Sequence, residues 1–107
     1  MENETWLIET ADDVIEKKVE HGVNALSPIE HLIYCLWVAD YSIRNAGDLD
    51  TAADLYEPFQ SEAASIAQAL SLSSTHQGFS LPAKTLEREF LDRFDTMCAE
   101  IQSHLAR

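Results

Sequence analysis

Basic residues are scarce in this chain. Seven Lys and Arg stand against nineteen Asp and Glu, giving a net charge of −12 and a pI near 4.4. A surface of that sign repels nucleic acid and anionic lipid and attracts basic partners, so neither direct DNA or RNA binding nor membrane association is expected. Glycine and proline are sparse too, three of each, and the scattered glycines exclude a phosphate-cradling loop. No apolar run approaches the ~20 residues that span a bilayer. The start, Met1-Glu2-Asn3-Glu4, is acidic where a secretory signal needs a basic region, so the expected location is cytoplasmic. Cysteine is limited to Cys35 and Cys98, without CxxC spacing. One disulfide is arithmetically open, but single cysteines on apolar helical stretches read as buried thiols in a reducing compartment.

Catalytic signatures are missing as well. There is no GxSxG, no HExxH, and no Glu-x-x-His of the kind that holds a di-iron pair. His31 and Cys35, four residues apart, can share a metal, but two ligands do not make a site, and a hydrogen-bonded histidine is the plainer reading. Glu100 and His104 repeat that spacing and read as a surface pair near a helix C-terminus. Trp6, Tyr34, Trp37 and Tyr41 read as core aromatics, with a small-molecule pocket near Trp37 and Tyr41 as the alternative. No catalytic residue, cofactor or metal site is expected, and the chain reads as a non-enzyme.

What is present is helical periodicity. A composition 46% apolar and 24% charged over 107 residues fits one globular domain covering 1–107. Apolar residues recur at helical spacing between the glycines and prolines, and no stretch alternates as a half-buried strand does. The expected fold is all-α, a compact bundle of four to five helices around a central apolar one. The first helix spans 4–21, with Leu7, Ala11, Val14, Ile15, Lys18 and Val19 as its stripe, Asn3 as cap and Gly22 as stop. Ser27-Pro28-Ile29-Glu30 predicts a strong start through a capping box. The helix it opens, 28–45, is apolar on most sides and therefore central. Asp48 or Asp50 can cap a short third helix reaching Tyr56. Pro58 either opens a fourth helix or kinks a longer one. Residues 71–81 read as a loop, and 82–105 as a last helix with Leu86, Phe90, Phe94, Met97, Ile101 and Leu105 inward.

Residues 13–49 resemble a bacterial domain family named after a DNA-mimic protein and otherwise of unknown function. The resemblance is carried by Gly22, by Ala25-Leu26-Ser27-Pro28-Ile29-Glu30, by Leu36-Trp37, and by Tyr41-Ser42-Ile43-Arg44-Asn45-Ala46-Gly47. The chain departs from that family's asparagine- and glycine-rich turn at Arg44, Ala46 and Asp48, and the aromatics that follow it there are replaced by Asp50-Thr51-Ala52-Ala53-Asp54. The resemblance implies an all-helical fold and an acidic surface that imitates the nucleic-acid backbone.

The distribution of charge points the same way. Eleven of the nineteen acids fall in two tracts free of Lys and Arg, one before Lys17 and one between Arg44 and Lys84. The expected contact face is Asp48, Asp50, Asp54 and Glu57, with Asp12, Asp13 and Glu16 second. Asp50, Asp54 and Glu57 share a face if the third helix extends that far. The expected function is non-catalytic binding of a basic protein. A homodimeric structural role and a ligand-binding helical domain are the alternatives.

Overall fold

The capping box expected at Ser27-Pro28-Ile29-Glu30 is complete in the computed structural model, which describes residues 2–107. The Glu30 N–H donates to Ser27 Oγ at 3.3 Å, and the Ser27 N–H donates back to the Glu30 carboxylate at 2.8 Å. Lys17 Nζ lies 2.9 Å from the same carboxylate. The Ser27 N–H and the Lys17 ammonium together hold Glu30 below the ordinary carboxyl range. From this start helix α2 (Pro28–Ala46) runs to Gly47, whose φ of 75° lets the chain turn left-handed and donate its N–H to the Ile43 carbonyl. The preceding helix α1 (Asn3–His21) stops at Gly22, whose φ of 87° with a ψ of 163° is an extended positive-φ conformation open to glycine, and whose N–H donates to the Lys18 carbonyl.

Four further helices follow: α3 (Asp50–Leu55), α4 (Phe59–Ala69), α5 (Ser73–Phe79) and α6 (Ala83–Leu105). The described residues contain no strand, so the fold is all-α, with six helices. Helix α2 is the centre. It packs on α1, α3, α4 and α6, and Leu32, Cys35, Leu36, Val38 and Ala39 on it are wholly buried. Each leucine so buried contributes about 1.5–3 kcal/mol. Around them pack Leu7, Ala11 and Val14 of α1, Phe59, Ala63 and Ala67 of α4, and Leu86, Phe90, Phe94, Met97 and Ile101 of α6. On α1 and α6 those residues belong to the stripes that helical spacing predicts. Pro58 separates two helices, since α3 ends before it and α4 begins after it. Both cysteines are free and buried. No helix is long and apolar enough to cross a membrane among the described residues.

Several expectations change. Asn3 does not cap α1. It lies inside the helix, donating to Asp95 and accepting from Gln102, so it ties α1 to α6. Val19 is 78% exposed and Leu105 46% exposed, so both apolar stripes stop short of the helix ends. Residues 71–81 are not a loop: they contain α5, with Phe79 buried. Its N-terminus has no cap of its own, and the missing acceptor comes from α6. Glu100 accepts from the N–H groups of Ser74 and Thr75 at 2.9 and 2.7 Å and from the Thr75 hydroxyl at 2.7 Å. Glu100 is therefore not the surface partner of His104. Burial raises its carboxyl, but those donors outweigh burial and leave it below the ordinary range.

A carboxyl whose folded pKa is depressed contributes stability above its unfolded pKa and loses it as pH falls through the folded value. Glu100→Gln is expected to lower stability by about 1 kcal/mol near neutral pH. The difference from the parent chain should shrink below about pH 4, read from urea unfolding curves across pH.

Candidate functional site

Two features of α2 bear on function: the polar groups it carries at its buried flanks, and the segments it holds on either side. On one flank, His31 and Cys35 sit one turn apart and project from the same face. The turn between α3 and α4 brings Tyr56 against them, and the first turn of α4 brings Glu62. His31 Nε2 is 2.6 Å from Glu62 Oε2 and 3.1 Å from Tyr56 Oη, and the Tyr56 hydroxyl donates to Glu62 Oε2. The Glu62 carboxylate thus accepts from both neighbours, and no Lys or Arg pairs with it among the described residues. A ring nitrogen of His31, the Cys35 sulfur and a Glu62 oxygen lie within 4.8 Å of one another. The His31 and Glu62 side chains are 20% and 36% exposed, so solvent reaches the cluster.

The chemistry of the cluster follows from that crowding. Burial, and next the Glu62 carboxylate, push the Cys35 thiol well above its ordinary value. Burial and the hydrogen bond to Glu62 push the Tyr56 hydroxyl up likewise. Neither group is a ready nucleophile, because the thiolate and the phenolate are both disfavoured. Cys98 is also inert, pushed up to about 12 by burial first and by Asp40 and Asp95 after it. The sequence singled out His31 and Cys35. It gave no sign that Tyr56 and Glu62 would join them.

On the other flank, Asp40 is 3% exposed and bonded at 2.7 Å by Arg44 Nε, whose guanidinium also lies 3.6 Å from Glu4 and 5.0 Å over the Phe94 ring. Burial raises the Asp40 carboxyl despite Arg44. This arrangement fixes one end of α1 against the C-terminal end of α2. The Lys17–Glu30 pair fixes its other end against the start of α2. Residues 48–56 run the same way as α1, from the Ser42 hydroxyl, which donates to the Asp48 carbonyl, to Tyr56 beside His31. The two base-free acidic tracts therefore run in parallel along α2. Tyr34 touches both flanking segments, with Lys18 Nζ 5.1 Å over its ring and the Tyr56 ring edge-on at 5.3 Å.

Six of the expected contact residues, Asp12, Asp13, Glu16, Asp50, Asp54 and Glu57, are exposed, and Asp48 is half-buried. Asp48 accepts from the Asp50 N–H and so helps to start α3. Glu57 does not share a helical face with Asp50 and Asp54: α3 ends at Leu55, where Tyr56 leaves helical geometry, and Glu57 lies in the turn beyond. None of the seven is ion-paired among the described residues. The aromatics of α2 pack on one another in turn, Tyr34 stacked on Trp37 at 6.2 Å and Trp37 tilted against Tyr41 at 5.5 Å between ring centres. A polar cleft of about 470 Å³ lies elsewhere, between Glu2, Asn3, Glu4, Arg44, Phe94 and Asp95.

Tyr56→Phe removes one of two donors to Glu62 and is expected to cost about 1.5–3 kcal/mol in chemical unfolding. Arg44→Gln, which strands the Asp40 carboxylate, should cost about 3 kcal/mol near neutral pH. Asp40 already holds its proton to higher pH in the folded chain than in the unfolded one. The Arg44→Gln penalty should therefore ease as the solution is acidified and Asp40 is protonated. No protein-family model, curated protein or solved structure matches the chain, so any functional reading rests on its own residues.

Proposed function

We propose that the chain is a non-catalytic acidic module that engages a basic protein. The observation that carries this reading is where the few cations go. Lys17, Arg44, Lys84 and Arg93 are paired with Glu30, Asp40 and Glu4, Glu87, and Glu89, and Lys18 lies over the Tyr34 ring. Four of the seven bases are thus paired with acids outside the proposed face, and Asp12, Asp13, Glu16, Asp50, Asp54 and Glu57 are left to solvent without an ion pair among the described residues. Exposed carboxylates of one sign on two segments held along one helix give a long-range attraction for Lys- and Arg-rich surfaces. They also leave little penalty for desolvating internal ion pairs on binding. Imitation of a nucleic-acid backbone is the specific form implied by the resemblance over residues 13–49. The general form, a basic partner, does not require Glu57 to continue the α3 face.

Self-association is a second reading, supported by Val19, Leu55 and Leu91, which are 78%, 49% and 52% exposed on three different helices. The two readings part on salt. Contact through exposed charge weakens when the Debye length falls below the spacing of the groups, whereas apolar contact does not.

The test uses the full chain with two neutralised variants, Asp50→Asn/Asp54→Asn/Glu57→Gln and Asp12→Asn/Asp13→Asn/Glu16→Gln. Affinity for a purified lysine- and arginine-rich protein is expected to fall about tenfold or more between 50 and 200 mM salt. It should fall comparably in at least the first variant. Equal binding by all three chains, or a salt-insensitive dimer by sedimentation with no such binding, would sink the proposal.

A further inference from the structure

The geometry points to a zinc-type divalent metal site formed by His31 Nε2, the Cys35 sulfur and a Glu62 carboxylate oxygen. It is independent of the acidic-module reading, since none of its residues belongs to the proposed contact face. Three donors of different chemistry converge from two helices, with their ligating atoms all within 4.8 Å of one another. A tetrahedral zinc with bonds of 2.0–2.3 Å holds its ligand atoms roughly 3.3–3.8 Å apart. The His31–Glu62 contact of 2.6 Å must therefore open by about 0.7 Å, within the reach of a glutamate side chain that is 36% exposed.

The donor set selects the metal class. Thiolate and imidazole together suit zinc better than the hard cations, which take oxygen ligands alone. One thiolate and one carboxylate neutralise a divalent ion, so the occupied site carries no net charge in a half-buried position. The partial exposure of His31 and Glu62 leaves a fourth position for water. Tyr56, which donates to Glu62, stands where an outer hydrogen bond orients a ligating carboxylate. Binding releases the Cys35 thiol proton to solvent and moves the His31 ring proton from Nε2 to Nδ1, so affinity rises with pH.

Cobalt(II) is the probe, titrated into the reduced full chain at about pH 8, where proton competition for the ligands is weaker than at neutral pH. The expected result is one equivalent bound, with a thiolate-to-cobalt charge-transfer band that zinc abolishes. Cys98→Ser should keep the band and Cys35→Ser should lose it. Glu62→Gln, which keeps a side-chain oxygen for the Tyr56 hydroxyl and whose helical content is checked by circular dichroism, should weaken cobalt binding by more than about tenfold. Absence of a charge-transfer band with cobalt in excess would overturn the assignment. So would a band unchanged in Cys35→Ser or an affinity unchanged in Glu62→Gln.

Discussion

Helix α2 is enclosed by α1, α3, α4 and α6, and almost everything else follows from that enclosure. A helix buried on most sides gains from its apolar residues, but each polar side chain it carries loses water and must find a partner. Asp40 finds Arg44, the Ser42 hydroxyl finds the Asp48 carbonyl and the Ala52 N–H, and His31 finds Glu62 and Tyr56. These contacts fix more than α2. Arg44 reaches Glu4 of α1, Ser42 seats the start of α3, and His31 draws in both the turn after α3 and the first turn of α4. These polar groups on the central helix have become joints between elements.

The same requirement explains how charge is laid out. A chain with nineteen acids and seven bases cannot compensate all its carboxylates. Two of the bases, Arg44 and Lys17, stand where burial makes an unpaired carboxylate costly or where two helices are held together. Asp40, 3% exposed, takes Arg44, and Glu30 at the head of α2 takes Lys17. Other half-buried acids are satisfied by backbone donors: Glu87 accepts from the Leu49 N–H, and Glu100 from Ser74 and Thr75. The exposed acids of 12–16 and 50–57 are solvated and need no partner to be stable. The charge open to solution is thus what remains after the internal demands are met.

The His31 cluster sits at the meeting point of these two themes. It satisfies a polar residue of the central helix, yet it does so with a thiol, an imidazole, a phenol and a carboxylate and without a cationic side chain. A purely structural joint needs only one donor and one acceptor. Burial first, and the Glu62 carboxylate after it, raise the proton affinity of Cys35 and Tyr56, and the proposed metal would stand in place of the Cys35 proton beside that carboxylate.

Local signals by themselves determined the helices whose ends are encoded where they occur: Ser27 and Glu30 in the capping box, Gly22 and Gly47 as positive-φ stops, and the stripes Leu7–Ala11–Val14 and Leu86–Phe90–Phe94–Met97–Ile101. Periodicity and turn chemistry are properties of neighbouring residues, so they can be read without the fold. Only the tertiary structure decided that 73–79 is a helix, because the carboxylate that caps it belongs to Glu100 on α6. Only it decided that α3 stops before Glu57, where Tyr56 turns away toward His31 and Glu62. The His31–Cys35 pair was visible as an i, i+4 spacing. Its completion by Glu62, thirty-one residues along the chain, depends on how α4 packs against α2, and no local pattern carries that.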